Sequence, residues 1–555
     1  MTNNPFGYSE DSVLRERVRT GGWPNVAPSI RPLLEPELPV PHISHLLPSL
    51  ALVAISAGIA TQPHRDPFPA LDPYVRGAMK EWNIPGAAIA IVRNDSVIYA
   101  KGFGVRELGK PELVNEQTIF AIGSNSKAFT AAGLEMLVDD GKMSLDAPVA
   151  AYIPNFQLSD PLATHEVTVR DLLTHRTGLA RNELVWYGSS FTRDEIVRRI
   201  RYLPSESSFR SKFRYNNVTY MTAGQVLAHA TASTWDDFMT TRIFRPLGMS
   251  STSTTNRDLA AKTNVVTPHL LTPAGVHSIQ WYDGDNVGPA GSIHSNAIDM
   301  AQWLRLQLAD GVYNGKRIMS ERGIEEMRSA QIAIPLSRGS RVMFPTAHLV
   351  SFGLGFVTSD YAGKLLVEHT GEIDGMASAV AMVPEAHFGV VVLTNLGSGI
   401  LAPTALARRI VDMQLGTTAL DWSHTLHAAY DSVAGLEKAA EDAFVAQRVP
   451  NTRPSLPLAG YTGTYADSAF GEMRITEQNG KLSFDFGPAR SGTLEHWHFD
   501  TFRGHPTNSA VATVTLHFRL DVAGNVADVE MDAGGAGWAT LKKVPGSGQS
   551  VVGGQ

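Results

Sequence analysis

Apolar positions along this chain change period several times, and each change marks an element. The globular pattern begins at Pro67. Ala87–Val92 and Val97–Val105 are apolar on either side of Asn94-Asp95, a turn-forming pair, which predicts a hairpin. From Ser124 onward, Ala128, Phe129, Ala132, Leu134, Leu137 and Val138 recur at helical spacing and stop at Gly141. Residues 147–328 alternate short helical patterns with loops. Three strand-like runs then follow closely: Leu365–His369, Ala377–Val383 and Val390–Thr394, with turns at Gly371–Gly375 and Pro384–Phe388. Parallel neighbours need a crossover of about a dozen residues, so these runs form an antiparallel meander. Helical patterns over Ala405–Met413 and Trp422–Gln447 come next, and Pro450, Pro454 and Pro457 punctuate a boundary. Beyond it the period is two: Ala512, Val514, Leu516, Phe518 and Leu520 alternate with Thr513, Thr515, His517 and Arg519. Leu482, Phe484 and Phe486 do the same, which predicts a small antiparallel barrel or sandwich.

These patterns divide the chain into an extension (1–66), a mixed α+β region (67–416), a helical linker (417–452), the all-β region (453–546) and a short tail (547–555). The last two should separate from the rest and shape access to a site without supplying its chemistry. Within the extension, residues 46–60 form one apolar run. It is short of the roughly 20 residues needed to cross a bilayer and contains Pro48, so no stable membrane span is expected. Its small residues Gly58 and Ala60 suit an export signal, pointing to a periplasmic or secreted protein, with a cytoplasmic one as the alternative.

Composition narrows the chemistry. The 555 residues are 43% hydrophobic and carry a net charge of −7, which fits a large core and offers no basic field for nucleic acid. With no Cys at all, thiolate nucleophiles, disulfides and cysteine metal sites are excluded. P-loop, dinucleotide and H-E-x-x-H patterns do not occur. What does occur is Ser124-Asn125-Ser126-Lys127, the one place where Lys follows a Ser by three positions. Residues i and i+3 share a helix face, so Lys127 can sit beside the Ser124 hydroxyl, and burial would leave its amine neutral enough to act as a base. Ser126 supports the helix start. Two weaker elements follow: Tyr215-Asn216-Asn217, a phenol and amides able to relay a proton and hold a carbonyl, and His369-Thr370-Gly371-Glu372 at a strand end, where an N–H could face an oxyanion. His496, His498 and Asp500 alternate as if on one strand face, a conceivable metal site but more simply solvated. His175 fits a structural turn better than catalysis.

The three elements in this order resemble the penicillin-recognising serine hydrolases: class C β-lactamases, D-alanyl-D-alanine carboxypeptidases, D-aminopeptidases and related esterases. Asp171–Leu179 (DLLTHRTGL), Gly291–Ser295 and Val391–Asn395 are similar to further blocks of that family, and Leu458–Tyr465 resembles its appended lipocalin-like domain. The resemblance implies a five-stranded antiparallel sheet with flanking helices and a helical lobe. It implies Ser124 as nucleophile, Lys127 as base, Tyr215 as proton relay and Asn217 as a substrate contact. It also places His369 where β-lactamases carry Lys, next to Thr370 and Gly371, and makes the N–H groups of Ser124 and Glu372 the oxyanion hole. The implied activity is hydrolysis of an amide or peptide, including peptides with D-residues, without cofactor or metal. A carboxylesterase, a β-lactamase and a silent penicillin-binding-like sensor are the alternatives, in that order, and a homo-oligomer is compatible with all of them.

Overall fold

The computed structural model describes residues 68–397, 399–417 and 420–546; the extension with its apolar run and the tail lie outside the described residues. Helix α1 (Leu71–Glu81) turns Leu71, Val75, Ala78 and Met79 inward, the spacing of one helical face. The hairpin is β1 (Gly86–Arg93) and β2 (Ser96–Gly104), and the Ser124 helix is α2 (Ser126–Asp139). Helices α3 (Asn217–Thr231) and α4 (Ala297–Leu308) belong to the middle of the chain. The short strands β3 (Ile332–Ala333), β4 (Val350–Phe352) and β5 (Val357–Tyr361) lead into the meander β6 (Lys364–Ile373), β7 (Met376–Val383) and β8 (Phe388–Thr394). Helices α5 (Leu401–Leu415) and α6 (Trp422–Ala446) follow.

The main sheet is antiparallel throughout, in the order β2-β1-β8-β7-β6-β5-β4-β3. The first and last thirds of the region thus meet at its centre, where Ile91 pairs with Val390 and Val391 with Val380. Helix α4 packs on β1 and β8, and α5 on β7 and β8. Strands β7 and β8 are buried along their whole length, which is why they read as continuous apolar runs. Each fully buried Val or Leu there contributes about 1.5–3 kcal/mol.

The sheet differs from the expected one in two ways. It has eight strands, because β3, β4 and β5 extend the meander; at two to five residues they are too short to show a period. And β6 does not end at His369 but runs on to Ile373, so the turn is only Asp374-Gly375, with Gly375 at φ 75°. Gly371 marks a close approach inside a strand rather than a turn. A Cβ on it would lie 1.8 Å from the Ile122 carbonyl oxygen.

The C-terminal region is a closed barrel of eight antiparallel strands, each bonded to the next, from Gly463–Asp467 to Trp538–Lys543. Closure through Tyr465 and Lys543 removes the sheet edges, and Leu516, Phe518, Val529 and Leu541 fill the interior. Helix α6 starts against α5 and α1, where Trp422 and Leu426 are buried, and ends on the barrel, where Phe444 stacks on Trp497 at 5.6 Å. The barrel and the described region before it form one compact body. Asn182 Nδ2 donates to the Trp538 carbonyl (2.7 Å), Arg490 Nη1 to that of Leu184 (3.1 Å) and Arg199 Nη1 to that of Ser468 (2.8 Å). His496, His498 and Asp500 do not assemble: the register shifts between the two histidines, and Asp500 accepts hydrogen bonds from Ser455 and Tyr461. No group of three or more His, Asp or Glu among the described residues is placed to hold a metal, and no helix among them is long and apolar enough to cross a membrane.

Candidate active site

Ser124 lies in a single 3-10 turn, Gly123–Asn125, that runs directly into α2. Gly123 takes φ 53°, and a Cβ there would lie 2.5 Å from the Glu372 nitrogen, so glycine lets the turn press against β6. The turn is fastened on three sides. Ser126 Oγ donates to the Gly123 carbonyl (2.7 Å) and accepts from Ile293 N–H (3.1 Å). Asn125 Nδ2 donates to Ser378 Oγ, which donates to the Ile122 carbonyl, both at 2.8 Å.

Lys127 is fully buried on the first turn of α2. Its Nζ lies 3.0 Å from Ser124 Oγ, 2.8 Å from Asn217 Oδ1 and 2.8 Å from the Ala290 carbonyl oxygen. Burial drives its pKa well below the ordinary lysine value; the Glu183 charge opposes that shift and Arg181 adds to it. The shift favours the neutral amine, the form that can accept a proton. Two of its neighbours, the Asn217 and Ala290 carbonyl oxygens, only accept, so each takes an N–H from Nζ. Ser124 Oγ is the third partner, and it accepts from a charged amine or donates to a neutral one.

Tyr215 completes the triangle. Its ring lies 4.7 Å from Lys127 Nζ, and its hydroxyl hydrogen-bonds Ser124. Burial raises its pKa, so it rests as a phenol that can pass a proton. Asn216 caps α3 by accepting the Val218 N–H (3.1 Å), which fixes Tyr215 just before the helix and Asn217 at its first position. His175, at φ 56°, accepts the Asn216 N–H on Nδ1 (3.1 Å) and lies 4.4 Å, ring to ring, from Tyr215. Its place is thus beneath the Tyr-Asn-Asn segment, in a supporting role.

His369 is buried with its ring 6.3 Å from that of Tyr215. Burial, with Lys127 nearby, pushes its pKa down to about 3, so it is neutral. Its Nδ1 faces the Thr370 carbonyl, which only accepts; Nδ1 therefore carries the proton and Nε2 the lone pair. Thr370, Gly371 and Glu372 continue along β6, the last two against the nucleophile turn. A residue that sequence reasoning passed over is Glu183. It is buried and accepts from Asn217 Nδ2 (3.3 Å to each oxygen), Arg181 Nε and Trp186 Nε1. It thereby fixes which way the Asn217 amide faces. The only sign in the sequence is a carboxylate directly before the apolar run Leu184–Tyr187, which has to be buried.

The buried contact between Lys127 and the Ser124 hydroxyl lies in a chain that is a serine hydrolase. It belongs to the beta-lactamase family, whose model matches residues 71–413; a model for a domain of unknown function matches residues 447–541. Over 485 residues it is 28% identical to an unguisins hydrolase of Aspergillus violaceofuscus, covering 80% of this chain and 84% of that one. Its fold is similar to an octameric penicillin-binding protein homologue from Pyrococcus abyssi (TM-score 0.57, 21% identity, 85% of this chain and 99% of that chain). It is also similar to a D-amino acid amidase from Ochrobactrum anthropi SV3 (TM-score 0.51, 25% identity, 62% of this chain and 97% of that chain).

Proposed function

We propose that this enzyme hydrolyses amide or peptide bonds through an acyl-enzyme on Ser124. Ser124 Oγ attacks the carbonyl carbon as its proton passes to Lys127 Nζ. The N–H groups of Ser124 and Glu372 receive the oxyanion. The tetrahedral adduct then collapses, and the leaving amine takes a proton relayed through Tyr215 from Lys127. Water enters, gives up a proton by the same route and releases the acid. Asn217 holds Lys127 on one side and is available to substrate beside it.

The observation that carries this reading is the buried Lys127 amine, 3.0 Å from Ser124 Oγ and otherwise hydrogen-bonded, among the described residues, only to the acceptor oxygens of Asn217 and Ala290. Similarity to an unguisins hydrolase and to a D-amino acid amidase supports an amide substrate, including one with D-residues. The neutral state of His369 weighs against β-lactams, because a permanent cation at that position would pair with their carboxylate. The test is labelling with a fluorophosphonate followed by intact-mass and peptide mapping, alongside a panel of amides, esters and lactams. An adduct on Ser124 and turnover of at least one peptide or amino-acid amide are expected. An adduct on another residue overturns the assignment.

A further inference from the structure

A guanidinium keeps its proton in a folded protein, so an arginine beside a reacting group is a fixed charge. Arg181 is such a residue, and the steps of the proposed reaction leave it unused. Its Cζ stands 5.6 Å from the centre of the Tyr215 ring, and Lys127 Nζ stands 4.7 Å from the same point. The placement is built into the chain. Asn216, directly after Tyr215, donates through Nδ2 to the carbonyls of Leu179 (3.4 Å) and Ala180 (3.2 Å), the two residues before Arg181. Tyr215 and Arg181 are thereby held in register.

Arg181 Nε donates to Glu183 Oε1 (2.5 Å), its one hydrogen-bond partner among the described residues. That ion pair has a direction. Its negative end reaches Lys127 through a single amide: Glu183 accepts from Asn217 Nδ2, and Asn217 Oδ1 accepts from Lys127 Nζ. Its positive end lies at Tyr215. The effects on the two groups follow the same order. At Tyr215, whose pKa burial raises, the lowering effect of Arg181 exceeds the raising effect of Glu183. At Lys127, whose pKa burial lowers, the raising effect of Glu183 exceeds the lowering effect of Arg181. Burial alone would lower the Arg181 pKa, but the Glu183 carboxylate holds it up, so the positive end stays charged. His175 and His369 also lie against Tyr215, and burial keeps both neutral.

The reaction has to pass through a matching charge pattern. Ser124 hands its proton to Lys127 as it attacks, which leaves an ammonium. Tyr215 then gives its proton to the leaving nitrogen, which keeps the electron pair of the broken C–N bond, and takes a proton from Lys127. Between the two transfers the tyrosine oxygen carries negative charge and the lysine positive charge. We propose that the Arg181–Glu183 pair is a fixed dipole that stabilises this separated state, with Arg181 the positioning residue for proton delivery to the leaving group. The proposal rests on the acyl-enzyme reading of Ser124 given above. Charge placed in advance where the transition state develops it costs no reorganisation, and it serves amides, whose nitrogen must be protonated to depart, more than activated esters.

The test uses the full-length enzyme with a peptide alkylamide and a p-nitrophenyl ester that share one acyl group. Both form the same acyl-enzyme, and kcat/KM reports its formation alone. p-Nitrophenolate leaves without a proton, whereas the amine does not. Arg181→Gln keeps a donor for Glu183 without the charge, and should lower the amide-to-ester ratio of kcat/KM by about tenfold or more, a part of the 10²–10⁴-fold that general acid–base catalysis supplies. Arg181→Met, a second neutral variant, should lower it as much. Arg181→Lys keeps the charge and should hold the ratio within about threefold of wild type. In a Tyr215→Phe background, Arg181→Gln should leave the ratio where Tyr215→Phe alone puts it, since the charge acts through the phenol. Circular dichroism establishes folding of each variant. Equal loss on amide and ester in a folded neutral variant overturns this proposal alone. So does an undiminished effect in the Tyr215→Phe background, or a tenfold fall of the ratio in folded Arg181→Lys. Failure of a fluorophosphonate to label Ser124 in the wild-type enzyme overturns the acyl-enzyme reading, and this proposal with it.

Discussion

Glu183 touches neither nucleophile nor base, yet replacing it with Gln should slow the reaction and move its pH profile. Three donors converge on its carboxylate: Asn217 Nδ2, Arg181 Nε and Trp186 Nε1. Glutamine keeps the shape but offers one oxygen and one NH2, so at least one buried donor loses its acceptor. A charge-assisted hydrogen bond of this kind is worth about 1.5–3 kcal/mol, and the cheapest relief is for the Asn217 amide to flip. The flipped amide turns its NH2 toward Lys127, competing with Ser124 for the lone pair of the base. At 1.36 kcal/mol per factor of ten, kcat should fall by about 10- to 100-fold. The sign of the pH effect follows separately. The Glu183 charge raises the Lys127 pKa, so removing it lowers that pKa further. Activity requires neutral Lys127 and is lost as pH falls through its pKa; the acid limb of kcat/KM should therefore move to lower pH in the variant. Steady-state kinetics across pH, with circular dichroism to establish folding, measure both effects. Unchanged kcat, or an acid limb displaced upward in a folded variant, would show that Glu183 does not position the base.

Four other outcomes are expected. Ser124→Ala should lose several powers of ten in turnover and give no covalent adduct by intact mass, while keeping its melting temperature. Lys127→Arg cannot deprotonate and should lose about 10²–10⁴ in rate at every pH up to 10; near wild-type activity would place the base elsewhere. Gly371→Ala puts a methyl 1.8 Å from the Ile122 carbonyl and 2.6 Å from Ser378 Oγ, so the Ser124 turn must shift. Calorimetry should show about 1–3 kcal/mol of lost stability, and kinetics a larger loss in kcat. Nitrocefin should be turned over more slowly than the best amide; the reverse order would mean that a cation at position 369 is not needed for β-lactams.

The fold was legible where elements were long and periodic. The α2 face, the Asn94-Asp95 hairpin and the Ala512–Leu520 alternation each carry enough residues to show a period, and each stands close to where its pattern puts it. Strands β3 to β5 carry too few, so the width of the sheet was not visible. The site was half legible. Ser124 and Lys127 announce themselves because the helix that joins them is local, and Tyr215 and Asn217 because they flank the capping residue Asn216, two residues apart. The Ala290 carbonyl meets Lys127 across 163 residues and Glu183 meets Asn217 across 34, and no local pattern records such a meeting. Gly371 could be misread for a related reason: its neighbour across the gap, Ile122, lies far away in the chain.

The Arg490–Leu184 and Asn182–Trp538 contacts join positions 306 and 356 residues apart and flank Glu183 on both sides in sequence. On a ribosome the N-terminal region folds first and the barrel emerges last. The segment that orients Asn217 therefore gains these two contacts only after the barrel strands have been made. A chain released early, or clipped within the barrel, keeps Ser124 and Lys127 in its sequence but lacks the two contacts that hold the Glu183 segment from outside.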